Sequence, residues 1–324
     1  MLLSIVVTAY NSNDTISKCL ERVLESSSDR FELIVVDDCS DKSSAEIVQG
    51  FGDKRVRYIY NDENLGPGLS RNVGIDNLRG QFVTFLDADD WYEHGAVDYI
   101  LEQISSRSFD LLVFDFSTVY SSGCVRKQWR PSSDGAIKDF LCDRLISTVW
   151  NKVYRVDVIF DNNIRFPAYL SEDSLFNFKF LLRCKNVSKF DSFIYFFDKS
   201  GESLTKSAYS IESFYEAREA LRDMEAVLNG EPVPVKLSLR ECFELRRFLF
   251  LFKDPVLRLY RDWLLGRIDR LVLNEFRNAC EFRLMDLSHL SSSGLLKKRD
   301  LFAFVVFRAS PRLLFMLMKL SKTT

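Results

Sequence analysis

Apolar positions recur in two rhythms along the first hundred residues. Four short runs, 4–8, 33–36, 56–60 and 82–86, are rich in β-branched or aromatic side chains, and stretches of helical spacing separate them. That alternation predicts an α/β body built on a mostly parallel sheet. Leu33-Ile34-Val35-Val36 is apolar on both faces, as a central strand covered by helices on both sides requires. Between the first two runs Ile16, Leu20, Val23 and Leu24 recur at i, i+4, i+7 and i+8, a helix that Ser12, Asn13 or Asp14 can cap.

From 106 to 205 the pattern is mixed, with a strand at 111–116, a helix near 137–146, another after Glu172 and a strand at 193–197. After Thr205 the strand rhythm stops. Long helical patterns follow at 214–228 and 237–252, punctuated by Pro232, Pro234 and Pro255. The expected organisation is a catalytic body over 1–205, with a nucleotide-binding half at 1–105 and an acceptor half at 106–205, and a helical region over 206–324.

Composition narrows the class. The 324 residues are 47% apolar, with 44 Lys and Arg against 46 Asp and Glu, which describes a soluble globular chain rather than a disordered or membrane-spanning one. Seven widely spaced cysteines without a Cys-x-x-Cys pair fit neither a disulfide framework nor a structural zinc site, and point to reduced thiols in the cytoplasm. The N-terminus reads as a first strand, not a signal peptide. Residues 1–205 carry 23 basic and 31 acidic side chains, so no nucleic acid is expected as partner, since phosphate binding needs a basic face. Positive excess collects at 292–324, where seven Lys and Arg meet only Asp300 among Leu, Phe and Met. This tail suits either an anionic membrane surface, at the inner face of the cell membrane, or packing against the rest of the protein.

Candidate chemistry lies at the ends of the strands, where open α/β sheets place ligands. Asp87, Asp89 and Asp90 follow the fourth run, and strand alternation sets Asp87 and Asp89 on one face, suited to a hard divalent ion. Asp37 and Asp38 follow the second run, where carboxylates accept hydrogen bonds from a nucleoside or cap the next helix. Thr8, Ala9 and Tyr10 end the first run and can complete that pocket. Asn64-Leu65-Gly66-Pro67-Gly68-Leu69-Ser70-Arg71-Asn72-Val73-Gly74 turns tightly into a helix, with Arg71 a candidate nucleotide contact.

Taken in order, Ser4-Ile5-Val6-Val7-Thr8-Ala9-Tyr10-Asn11, Val35-Val36-Asp37-Asp38, Asn64-Leu65-Gly66 with Ser70-Arg71-Asn72-x-Gly74, and Phe85-Leu86-Asp87-Ala88-Asp89-Asp90 resemble a family-2-type inverting glycosyltransferase of the GT-A fold. The resemblance covers about 1–205. It implies transfer from a nucleotide-sugar donor, a UDP-sugar, to a glycan or lipid-linked acceptor in surface polysaccharide synthesis, with Mn²⁺ or Mg²⁺ on Asp89 and Asp87 and the nucleoside on Asp38. It also picks out Trp150-Asn151-Lys152, placing Lys152 among the donor contacts, and Glu172-Asp173, with Asp173 matching the catalytic base. One departure stands out: 195–205 offers no His, which some relatives use as a further metal ligand, leaving water or Asp198 as substitutes. His94 and His289 read as bystanders. Two other readings are a sugar-nucleotide-forming nucleotidyltransferase, which wants a basic Gly-rich loop where Ala9-Tyr10-Asn11-Ser12 stands, and a non-catalytic binding scaffold.

Overall fold

Parallel strands β1 (Leu3–Ala9), β2 (Phe31–Asp37), β3 (Val56–Tyr60) and β4 (Phe82–Asp87) lie in the order β3-β2-β1-β4. This is a computed structural model, and it describes residues 1–169, 171–200, 210–264, 267, 270–279, 290–292, 296–311, 314, 315 and 318. Helices α1 (Ile16–Leu24), α2 (Ala45–Gly50) and α3 (Pro67–Asp76) connect these strands. Every residue of β2 is buried, as its unbroken apolar run predicts. Register pairs Thr8 with both Val36 and Asp87, so the C-terminal ends of β1, β2 and β4 share one edge of the sheet.

The chain divides into two units, Met1–Ile137 with Leu145–Ser203, and Lys138–Arg144 with Leu204–Thr324. The sheet belongs to the first. After α4 (Ala96–Ser106) it extends through β8 (Lys152–Arg155), antiparallel to both β4 and β6 (Leu111–Tyr120). β9 (Val187–Asp198) runs parallel to β6, and β5 (Trp91–Tyr92) pairs antiparallel with β9. β7 (Gly123–Lys127) pairs with the second half of β6. Helices α6 (Val156–Asp161) and α7 (Glu172–Arg183) complete this unit.

Three strands carry no sequence signal, for separate reasons. β5 has two residues, β8 has four, and all five positions of β7 are exposed, so none shows apolar alternation. The helix expected near 137–146 is α5 (Ala136–Leu141) only, because Asp143 adopts a left-handed φ of 58° and ends it. None of Ser12, Asn13 and Asp14 caps α1; Thr15 holds the N-cap position, and Ser12 contributes its carbonyl to Ile16 N–H.

The second unit has no strand among the described residues. It contains α8 (Ile211–Gly230), α9 (Val233–Phe248), a π-helical stretch (Leu249–Lys253), α10 (Asp254–Leu264), α11 (Arg270–Ala279) and α12 (Lys298–Ala309). Ser210 caps α8 by accepting Ser213 N–H at 3.2 Å. Phe248, Phe252, Phe304 and Phe307 pack as aromatic neighbours in its core. Lys138–Arg144 belongs here, against the continuous cut at 205/206 expected from sequence, because Arg246 donates to Phe140 O and Asp143 Oδ1 and covers the Phe140 ring. Among the described residues no helix is long and apolar enough to cross a membrane.

Candidate active site

Backbone hydrogen bonds stitch the strand ends together. Asp38 N–H donates to Ala9 O at 2.8 Å, Ala88 N–H to Thr8 O at 3.2 Å, and Asn61 N–H to Asp37 O at 2.9 Å. Asn11 and Cys39 take left-handed conformations just beyond β1 and β2, so both chains turn sharply at the edge where a ligand would sit. Tyr10 stands 47% exposed at that edge. Asp37 is fully enclosed: Ser40 N–H, Ser44 N–H and the Ser44 and Tyr58 hydroxyls donate to it, and these hydrogen bonds overcome burial to hold its carboxyl below the usual range. Asp38 accepts from Leu65 N–H, Gly66 N–H and Asn61 Nδ2, all within 2.9 Å. Its carboxylate therefore fastens the loop leading to α3, a use beyond the nucleoside contact expected of it.

α3 begins with Gly66 at φ 82° and Pro67 at the first helical position. Gly68, Ser70, Asn72 and Gly74 of its motif each have a distinct task. Gly68 lies so close to the following half of the unit that a Cβ would sit 2.6 Å from Pro167 O and 3.1 Å from Glu172 Cγ. Ser70 Oγ accepts from Asn61, and Asn72 exchanges a reciprocal pair of hydrogen bonds with the backbone of Phe166. Gly74 lets the helix pack on Val6 of β1. The motif is thus a bracket that fastens 166–173 to the parallel sheet. Gly68→Ala should lower stability by about 1–3 kcal/mol, the usual cost of overpacking a tight contact. Thermal unfolding checks this against Gly50→Ala, where a Cβ would meet nothing within 4 Å.

At the centre of the bracket is Arg71, 4% exposed. Its guanidinium donates to Glu172 Oε1 at 2.7 Å, Asp173 Oδ1 at 3.1 Å and Asp87 Oδ1 at 3.0 Å. Burial opposes its charge, but Asp173, Asp87 and Glu172 outweigh that and raise its pKa above the ordinary value. Ser171 turns the chain with φ 70°, so Glu172 and Asp173 occupy the first turn of α7, where the helix dipole favours carboxylates. Asp173 Oδ2 accepts Val149 N–H at 3.1 Å. Burial pushes the Asp173 carboxyl up to about 7, with Glu172 and Asp87 adding to the rise and Arg71 opposing it. A carboxylate of that affinity is poised to accept a proton near neutrality.

Asp89 is exposed. Alternation does not carry to it: β4 ends at Asp87, and a turn closed by Asp90 N–H to Asp87 O follows. The surrounding protein limits hydration of its carboxylate, and Asp87 and Asp198 add repulsion that its own backbone N–H only partly offsets, so its carboxyl rises to about 6. Asp90 is buried. It accepts the Tyr195 hydroxyl at 2.6 Å and Asp198 N–H at 2.7 Å, and is pushed up to about 9 by burial and by Asp87 and Asp89. Asp90 thereby anchors the end of β9 beside β4, a role the sequence pattern did not separate from its neighbours. Among the described residues no group of three His, Cys, Asp or Glu side chains is placed to hold a metal ion. Asp87, with one oxygen engaged by Arg71, and Asp89 still fit a Mg²⁺ or Mn²⁺ ion, which characteristically takes one or two carboxylates and fills its other positions with water and phosphate oxygens. Asp198 Oδ1 is occupied by Ser200.

Comparison with known proteins bears on this arrangement. Residues 4–166, half of the chain, match the sequence model of glycosyl transferase family 2. The chain belongs to that family. It is 29% identical over 226 residues to the poly(ribitol-phosphate) beta-N-acetylglucosaminyltransferase TarS of Staphylococcus aureus, covering 67% of this chain and 39% of the relative. The cholesterol galactosyltransferase of Borreliella burgdorferi is 24% identical over 316 residues, 86% of each chain. Thus the chain spans about two fifths of the first relative's length. Among solved structures, S. aureus TarS 1–349 with UDP-GlcNAc superposes with a TM-score of 0.70 at 23% identity, over 97% of this chain and 89% of that one. The mannosyltransferase PcManGT of Pyrobaculum calidifontis, with GDP-Man and Mn²⁺, gives 0.54 at 14% identity, over 99% and 88%. These likenesses show the GT-A fold.

Against the family pattern, Lys152 requires correction as a donor contact. It is fully buried, and its ammonium donates to Ile146 O, Thr148 O and Asn151 Oδ1 at 2.9, 2.5 and 2.8 Å, which uses all three protons. Burial lowers its pKa to about 7. Its task is to hold the turn that delivers Val149 N–H to Asp173. Trp150 is also inside, stacked on Tyr195 at 4.4 Å. His94 bonds Glu25 on the surface, and among the described residues it joins no group of three side chains placed to hold a metal ion. His289 and residues 201–205 of the segment 195–205 lie outside the described residues.

Proposed function

We propose that this chain moves a sugar from a nucleotide-diphospho-sugar, a UDP-sugar, to a hydroxyl of a glycan or lipid-linked acceptor in surface polysaccharide synthesis, with inversion at the anomeric carbon. One observation carries the reading: Arg71 joins Asp87, at the donor end of the parallel strands, to Asp173, a carboxylate with proton affinity near neutrality. The names of the relatives support the class of donor and acceptor. The edge formed by Thr8, Ala9, Tyr10 and Asp38 would receive the nucleoside. Asp87 and Asp89 would hold a divalent cation, whose charge would stabilise the departing diphosphate. Asp173 would take the proton of the acceptor hydroxyl as it attacks the anomeric carbon from the face opposite the diphosphate. A single displacement needs no covalent nucleophile. Release of UDP from a panel of UDP-sugars, stimulated by acceptor and by Mn²⁺ or Mg²⁺, is the expected result. No release with any nucleotide-sugar would overturn the reading.

The pH dependence follows from the base. Asp173 must be ionised to accept a proton, and its carboxyl titrates near 7 in the donor-free protein. Its raised proton affinity means that the inactive, protonated form dominates below that value. The expected profile of kcat/KM therefore falls about tenfold per pH unit below 7 and levels off above it. A plateau continuing down to pH 5 would remove Asp173 as the base.

We also propose that the C-terminal region docks on an anionic membrane surface at the inner face of the cell membrane, through α12. Phe304 and Phe307 are buried, whereas Phe302 is 61% and Val305 43% exposed next to Arg308. Most of the basic tail beyond Ser310 lies outside the described residues. Deleting 292–324 would strip aromatic core, so substitution is the sounder test. The Phe302→Ser, Val305→Ser double variant is expected to lose sedimentation with anionic vesicles while keeping its thermal midpoint. Equal sedimentation of both proteins would assign the helix to packing alone.

A further inference from the structure

The sequence places Arg71 among donor contacts, and the structure points elsewhere. Three of its hydrogen bonds go to carboxylates of the protein, two of them on the first turn of α7. Its helix is held in place independently. Gly68 abuts Pro167 and Glu172, and Asn72 is bonded reciprocally to Phe166. The Phe166 ring lies 5.6 Å from the guanidinium and stacks at 4.0 Å on Phe176 of α7. A side chain so confined acts as a strut between β4 and α7, with only Nε lacking a partner among the described residues. The fork geometry matters as well, because one planar guanidinium reaches three carboxylates in fixed directions and an ammonium cannot.

We propose that Arg71 is a positioning residue for the acceptor-side base: it orients Asp173, and Glu172 beside it, relative to the donor-side carboxylate Asp87, instead of binding the donor. This rests on the reading of Asp173 as the base. It follows that Arg71 acts through Asp173, and its removal should be felt in turnover more than in donor affinity.

The test uses the full chain with Arg71→Gln, Arg71→Lys and Arg71→Ala, together with Asp173→Asn and the Asp173→Asn, Arg71→Gln double variant. Turnover is read as UDP release with acceptor, donor affinity by titration with UDP, and folding by thermal unfolding. Arg71→Gln is expected to lower kcat by about 30- to 100-fold, with UDP affinity within about threefold of the parent, as for loss of an interaction that matters only in the transition state. Arg71→Lys should be intermediate. Methylguanidinium at millimolar concentration should restore part of the turnover of Arg71→Ala, a response that a merely structural role would not show. In the Asp173→Asn background, Arg71→Gln should cost nothing further. Equal loss of UDP affinity and kcat in Arg71→Gln, or full additivity with Asp173→Asn, overturns the proposal. Should Asp173→Asn itself keep parental turnover, the base assignment fails instead, and the two failures are told apart. If Arg71→Gln does not fold, Arg71→Lys and the methylguanidinium response decide the question.

Discussion

Asp173→Asn is expected to lower sugar transfer by about 100-fold or more, the scale of a lost general base, while UDP affinity stays within about threefold. Asn retains the shape of Asp and an oxygen that can accept Val149 N–H, so the turn over 146–151 keeps its anchor. Arg71 retains Glu172 and Asp87, and the bracket around α3 survives. What disappears is the negative oxygen able to take the acceptor's proton. Initial rates at saturating donor, paired with calorimetric titration of UDP, measure the contrast. Collapse of donor affinity along with turnover would make Asp173 a donor-side group, and Glu172, its neighbour on the same helical turn, would become the candidate base.

The other large effect is expected at Asp89. Asp89→Ala should weaken cation-dependent donor binding by about 100-fold or more, since even groups that only support a metal ligand contribute about 10–100-fold to affinity. Stability should move in the opposite direction. Asp89 stands among Asp87, Asp90 and Asp198; burial is the first cause of the raised proton affinity of Asp89 and Asp90, and repulsion between carboxylates, Asp87 and Asp198 on Asp89 and Asp87 and Asp89 on Asp90, adds to it. Removing one charge relieves the others, so the donor-free variant should unfold at a higher temperature than the parent above pH 6, where Asp89 is ionised. Titration with UDP in the presence and absence of Mn²⁺, alongside thermal unfolding at pH 5 and pH 8, tests both halves. Unchanged affinity and an unchanged cation requirement would remove Asp89 from the cation site.

The contrast between these residues shows why some roles were legible in the chain and others were not. Asp87, Asp89 and Asp38 are marked by position: each follows an apolar run, and the end of a parallel strand is a local feature that periodicity locates. Asp173 is different. It lies in the first turn of a helix, where acidic residues are common for the dipole alone, and only the order of the family's motifs separates it from a capping charge. Lys152 and Arg71 are both basic residues beside motif positions. Nothing local distinguishes them from nucleotide contacts, because the carbonyls of Ile146 and Thr148 and the carboxylates of Asp87, Glu172 and Asp173 reach them through folding.

By itself the sequence determined the alternating first hundred residues, the burial of β2 on both faces, the change to an all-helical pattern after 205 and the family, since each depends on residue type at short spacing. The tertiary structure alone decided the remainder. It shortened the helix near 137–146 at the left-handed Asp143, and it moved 138–144 into the second unit, because Arg246, about a hundred residues downstream, grips that segment. It made Gly68 and Asn72 of α3 into a bracket, through contacts with residues about a hundred positions away. It also raised the proton affinity of Asp173 toward neutrality. Burial sets that value, opposed by Arg71 and reinforced by the adjacent Glu172 and by Asp87, and the burial, Arg71 and Asp87 reach Asp173 only once the strands and α7 have come together.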